Sequence, residues 1–301
     1  MRPELIRATE LLRLNNREAV EEAVALLQNT VYSFSMKVCG HSEDAEDTTQ
    51  EVLFRSLEHL AKLQDPRQLS VWLYTVTKNR CWRMRRKSVH APKQMLSLAE
   101  LMPSDEELGM LLQDAGKGPE RNLLDAEQHH LLHQAILLIP GPLRIVLVLH
   151  DMEELTTEEV AQILQLQQGT VRIRLHRARL SVRKKMNELL IQVHLPEDAL
   201  HGQKGTAKGR RPKRVSRPDA CIDLFANLSE YMDGRIEPVA CEQMRTHIEA
   251  CPSCVAFLRD LRCAIDRCRS LEVPSAPNVA SRLRNLLTQE YLRMLVQPTQ
   301  K

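Results

Sequence analysis

The stretch from Leu155 to Lys185 reads LTTEEVAQILQLQQGTVRIRLHRARLSVRKK, and its punctuation predicts two helices with a tight turn between them. Thr156 or Thr157 can cap the first helix. Glu158 and Glu159 suit its first turn, where unsatisfied backbone N–H groups favour negative charge. Val160, Ala161, Ile163 and Leu164 supply its buried side, Leu166 to Gly169 make the turn, and a second helix begins near Thr170. In that helix Val171, Leu175 and Ala178 recur at i, i+4 and i+7 and form an inner stripe. Arg172, His176, Arg179 and Arg183 are then expected to point outward, flanked by Ile173, Arg174 and Arg177. No acidic residue lies between Gln165 and Met186. A short helix, a turn and a basic second helix is the geometry that seats a helix in a DNA major groove.

The rest of the chain agrees with an all-α protein. Its 301 residues allow two or three domains, with 43% hydrophobic and 27% charged residues. Aromatics are only 3%, which argues against large β-sandwiches and against sheets paved with base-stacking rings. The N-terminus, MRPELIRATE, has no apolar signal region. The most apolar stretch, Ala135 to Leu149, is broken by Pro140-Gly141-Pro142 and by Arg144. A soluble, cytoplasmic protein without a membrane partner is expected. The net charge of +3 is too mild to identify a partner, so the distribution of charge decides.

Composition shifts divide the chain. Residues 1–88 read as helices ending in a basic run, and residues 89–125 (HAPKQ, MPSDEE, DAGKGPE) as a mobile linker containing a short helix. Helical periodicity returns over 126–195. Residues 196–218 are a second linker, basic and extended, and residues 219–301 form another small helical unit. Its last helix, Val279 to Val296, carries Leu283, Leu286, Leu287, Tyr291 and Leu295 at helical spacing. That stripe fits packing on the preceding domains or closure of its own bundle.

GTVRIRLHRAR, preceded by LTTEEVAQIL and LIPGPLRIVLVLHDMEE, resembles the fourth conserved domain of extracytoplasmic-function (ECF) RNA polymerase sigma factors. Ile139-Pro140, Arg144 to Leu149, Glu158 to Ala161 and Gly169 to Arg179 occur in the family's order. The resemblance implies reading of the promoter −35 element, with Thr170 opening the recognition helix. Arg172, His176 and Arg177 are candidates for base edges, since Arg reads guanine bidentately. Ile173 suits a thymine methyl or packing, and Arg174, Arg179 and Arg183 suit phosphates.

Two earlier segments also resemble this family. Asp44 to Phe54 (DAEDTTQEVLF) is similar to the helix that docks on core RNA polymerase, which implies contacts through Asp44, Glu46, Asp47, Gln50, Glu51 and Phe54. Ser70 to Arg80 (SVWLYTVTKNR) is similar to the segment that melts and holds the −10 element. Trp72, Tyr74, Lys78, Asn79, Arg80, Trp82, Arg83 and Arg86 are its candidate contacts to the melted strand. Phosphate attraction beside surfaces that hold unstacked bases suits that task. Trp72 also fits a core position against Leu69 and Val76. At position 83, where the family usually carries Asp, this chain has Arg.

Six of the eight cysteines crowd the C-terminal region. His247, Cys251 and Cys254 form an H-x3-C-x2-C arrangement that can share one tetrahedral zinc ion. The region resembles the zinc-containing anti-sigma module, which implies that Cys221, at the head of CIDLFANLSEYMDGRIEP, completes the site. Cys241 is the alternative fourth ligand. His129, His130 and His133 also share a helix face, but no fourth group is nearby and a solvated face is the better reading. The fused module implies regulation in cis by intramolecular contact with the sigma domains. The competing reading is a helix-turn-helix regulator that binds operators without polymerase; the acidic docking helix argues against it. No nucleophile–base pair, phosphate-cradling glycine loop or paired catalytic carboxylates indicates an enzyme.

Overall fold

The computed structural model describes residues 2–14, 16–60, 65–85, 96–114, 125–194, 228–234, 238–271, 273, 285 and 287–293. Among the described residues the regular structure is helical, without strands. The chain forms two compact units, each assembled from segments far apart in sequence. The first comprises Met1–Pro92, Arg144–Val171 and Glu272–Lys301, and the second Lys93–Leu143 and Arg172–Leu271.

The first unit is built on helices α1 (Pro3–Arg13), α2 (Arg17–Cys39), α3 (Ser42–Leu60) and α4 (Pro66–Arg85). Asn16 caps α2 by accepting from the Ala19 amide at 2.8 Å. Gly40, at φ 85°, ends α2 in the left-handed region that favours glycine. Leu5, Leu27, Phe34, Leu53, Leu69 and Leu73 are buried in these helices, and the Phe34 and Tyr74 rings meet at 4.9 Å. The same unit holds a π-helical turn, Val148–Met152, and helix α9 (Thr157–Leu164), which packs on α4. Thr156 and Glu159 form a reciprocal capping box at the start of α9, and Gln165 ends it in the left-handed region. Leu287 and Tyr291, on the helical residues 287–293 of this unit, are buried.

The second unit includes the short helices α5 (Leu98–Leu101) and α6 (Asp105–Asp114), helix α7 (Asp125–Leu138), and most of helix α10 (Gln168–His194). Helix α8 (Gly141–Leu147) precedes the π-turn. The C-terminal part of the second unit contains a helical turn at 228–232 and helices α11 (Pro238–Ala250) and α12 (Pro252–Arg269). Its core joins Leu101 and Leu108 from the connector, Leu180 from α10, and Leu228, Ile248 and Phe257 from the C-terminal part. The stretch read as a mobile linker therefore contributes two fully buried leucines, because α6 lays its apolar face on α12.

Candidate nucleic-acid and polymerase interfaces

The inner stripe of α10 is where its spacing puts it, with Val171, Leu175 and Ala178 all buried. The outer face is not uniformly outward. Ile173 is 60% exposed and Arg172, Arg174 and Arg177 are partly exposed, whereas His176, Arg179 and Arg183 are buried. The expectation that these three face solvent is corrected by acidic and apolar groups brought to them by distant segments of the same unit. Arg179 donates both terminal nitrogens to the two Asp233 oxygens at 3.0 Å, a bidentate fork. Arg183 Nε donates to Asp260 Oδ2, its guanidinium lies 4.9 Å from the centre of the Phe257 ring, and Glu107 of α6 is 3.9 Å away. Each guanidinium thus exchanges water for a carboxylate.

His176 Nδ1 lies 2.8 Å from the Ser229 hydroxyl. Burial, reinforced by Arg179 and Arg177, pushes its pKa down from 6.5 to about 4, so the ring is neutral at pH 7. Lys184 Nζ donates to the Glu100 carbonyl of α5. The basic side of α10 is thereby held by the connector on one flank and by the C-terminal segments on another.

In the first unit, α3 presents Asp47, Gln50 and Phe54 to solvent, with Phe54 60% exposed, while Asp44, Glu46 and Glu51 are half-buried. Glu51 pairs with Arg55 and with Arg80 of α4, each at 2.7 Å. On α4, Asn79 is exposed, Trp82 is 37% exposed, and Arg80 is partly exposed. Trp72 is half-buried, its ring 4.6 Å from that of His59, beside a cleft of about 640 Å³ lined also by Arg67, Thr156 and Glu159. Tyr74 and Lys78 are buried, with their polar atoms turned onto Glu153 and the Ile163 carbonyl. Arg83 lies on α4, while Arg86 lies outside the described residues.

The ligand atoms of His247, Cys251 and Cys254 lie within 4.8 Å of one another, with His247 Nε2 3.4 Å from Cys254 Sγ. His247 stands in the last turn of α11, Cys251 immediately precedes α12, and Pro252 starts that helix. Two thiols and an imidazole at this separation suit a tetrahedral ion with metal–ligand bonds of about 2.0–2.3 Å. Cys241 is not among the clustered residues, and Cys221 lies outside the described residues.

Comparison with known proteins matches residues 23–90 to sigma-70 region 2, residues 129–182 to sigma-70 region 4, and residues 221–254 to a family described as "Putative zinc-finger". The ECF RNA polymerase sigma factor SigW of Bacillus subtilis is 29% identical over 181 residues, covering 59% of this chain and 94% of SigW. RNA polymerase sigma-H factor of Pseudomonas aeruginosa is 26% identical over 184 residues, covering 60% of this chain and 93% of that protein. The ECF sigma-E factor of Escherichia coli K12 is 26% identical, covering 60% and 93%. The chain thus carries segments matching sigma-70 regions two and four, and these relatives are ECF RNA polymerase sigma factors.

The region-four match ends inside α10, at Ser181 and Val182, so Arg179 falls within that match and its partner Asp233 within the zinc-finger match. Sequence reasoning quoted Asp233 only as part of a module motif and gave no role to Asp260, Glu107 or Glu153. The available signal was charge: a helix whose first twenty residues carry no acid needs carboxylates from elsewhere before its arginines can be buried. Which carboxylates they are depends on tertiary packing. Among the described residues, no helix is long and apolar enough to cross a membrane.

Proposed function

We propose that this ECF sigma factor binds core RNA polymerase, directs promoter-specific transcription initiation, and is restrained in cis by its own zinc-binding C-terminal module. The family assignment supports the first two parts. Asp44, Glu46, Asp47, Gln50, Glu51 and Phe54 dock on the polymerase, and the exposed apolar Phe54 amid acids suits a mixed basic and apolar partner surface. The α4 residues Trp72, Tyr74, Lys78, Asn79, Arg80, Trp82, Arg83 and Arg86 serve the melted −10 strand. On α10, Thr170, Arg172, Ile173, Arg174 and Arg177 read the −35 element, joined by His176, Arg179 and Arg183 when they are uncovered.

The observation that carries the regulatory part is the bidentate Arg179–Asp233 pair at 3.0 Å, which spends on a carboxylate the geometry that would grip a phosphate. Zinc on His247, Cys251, Cys254 and Cys221 would cross-link the α11–α12 hairpin that carries Phe257 and Asp260. The module is part of the same chain, so a modest contact stays engaged through high effective concentration.

Run-off transcription with core polymerase, on fragmented genomic DNA of the source organism, tests the reading. The full chain, the Asp233→Asn/Asp260→Asn variant and a truncation ending near His201 are compared. Specific transcripts that strengthen at least several-fold in the variant and the truncation are expected. Transcripts of equal strength from all three would remove the cis restraint. DNA binding without core binding or transcripts would instead favour an operator-binding regulator.

A further inference from the structure

Glu153 follows the π-turn and is only 1% exposed, yet it carries a carboxylate. Three side chains from the N-terminal helices converge on it. Lys37 of α2 donates to Oε1 at 2.9 Å, the Tyr74 hydroxyl of α4 donates to Oε2 at 2.7 Å, and Arg2, at the start of α1, lies 2.7 Å from Oε2. Arg2 also donates to the Met152 carbonyl at 3.1 Å. One turn further along α4, Lys78 Nζ donates to the Ile163 carbonyl in the last turn of α9 at 2.8 Å. In the opposite direction, Arg144 reaches the Val38 carbonyl near the end of α2. All these residues belong to the first unit, and apart from those of Arg2 the contacts join region-two helices to region-four segments.

Charge is an inefficient way to bind two surfaces permanently. Desolvating Lys37 and Glu153 costs about as much as their attraction returns, and an apolar pair would hold as well. A buried ionic network gives register and an abrupt response, because removing one member leaves the others uncompensated. Here the members include Tyr74 and Lys78, two of the side chains assigned above to the melted −10 strand. Their polar atoms cannot serve Glu153 or Ile163 and a nucleic-acid strand at the same time.

Resting on the sigma-factor reading, we propose that Glu153 is a latch that holds region two against region four in the free chain. The latch must open before Tyr74 and Lys78 can engage DNA. Its effect is a population tax: affinity for the strand is divided by the fraction of chains that are open. It is independent of Asp233 and Asp260, which act on α10.

The test uses the full chain. Amide hydrogen exchange is compared for wild type, Glu153→Gln and the gentler Tyr74→Phe, which removes a single hydrogen bond. Binding to a fluorescent single-stranded DNA 12-mer of mixed sequence is measured in parallel. Glu153→Gln is expected to speed exchange over 148–163 at least tenfold while protection around Leu27 and Phe34 is kept, with a smaller change of the same pattern in Tyr74→Phe. Strand binding should tighten at least fivefold in Glu153→Gln, and the Glu153→Gln/Lys78→Met double variant should lose that gain. Unchanged exchange over 148–163, or loss of protection throughout the unit in both single variants, overturns the latch. So does a gain in binding that ignores Lys78. Failure of run-off transcription with these results intact would sink the sigma reading and leave the latch standing, whereas transcription without opening would sink the latch alone.

Discussion

Asp233 and Arg179 decide how firmly the second unit closes, since the arginine is fully buried and the aspartate 16% exposed. Breaking a buried pair by removing one partner costs about 3 kcal/mol, because the remaining charge must find water or another partner. Asp233→Ala should therefore lower the unfolding free energy of the full chain by roughly that amount, read by urea denaturation. It should also tighten binding to duplex DNA about tenfold at low salt, with a steeper salt dependence as Arg179 becomes available to phosphates. His176 makes the same unit sensitive to acid. In the unfolded chain it takes a proton near pH 6.5, and in the folded chain only near pH 4, so between these values the unfolded state binds more protons and stability falls as pH drops. The melting temperature should decline from pH 6.5 towards pH 4, and His176→Asn should flatten that part of the profile. Of these residues, the sequence marked the arginines and the histidine as functional from the basic run alone. It placed them facing solvent, and the structure buries them, because helical periodicity assigns a face but not what another segment lays over it.

Helices show the same division between local and distant information. The capped start of α9, its end before the turn and the inner stripe of α10 were legible because caps, turn residues and 3.6-residue spacing act within a few residues. The α5–α6 connector, read as a mobile linker containing a short helix, holds two short helices. Its capping boxes at Ser97–Glu100 and its acidic first turn at Asp105 were in the sequence, but scattered Pro and Gly on either side outweighed them. What orders it is Leu101 and Leu108, both essentially inaccessible, packed with Phe257 and Leu261. Leu108→Ala should cost about 2–4 kcal/mol, and protease cleavage within 96–114 should accelerate in step. The His247, Cys251 and Cys254 cluster was legible as a spacing, His247 one helical turn before Cys251 and Cys254 three residues later, since a turn between two helices leaves little choice of where those atoms go.

At the scale of the whole chain, the His247–Cys251–Cys254 cluster and the buried arginines share one core, because Cys254 and Ile248 pack in the same cluster as Phe257 and Leu180. Removing zinc with a chelator should therefore reach beyond the hairpin. Amide exchange over 176–183 should rise severalfold on chelation and return on adding zinc, with metal content followed by atomic absorption. If the metal only stabilised α11 and α12, exchange on α10 would stay constant. The all-helical class and the order of regions two and four followed from the sequence, since they are properties of consecutive segments. The division into two units that interleave those segments did not, because the first unit gathers Met1–Pro92 with Arg144–Val171 through contacts such as Lys37–Glu153, 116 residues apart.

Distance along the chain within the second unit also gives the protein a history each time it is made. Arg183 leaves the ribosome 77 residues before Asp260, the carboxylate that covers it. At about 5–20 residues per second, translation leaves an interval of roughly 4–15 s in which α10 exists and its cover does not. Every newborn copy passes through a state in which Arg183 has no Asp260 to face, so the cover is made only after the helix it covers.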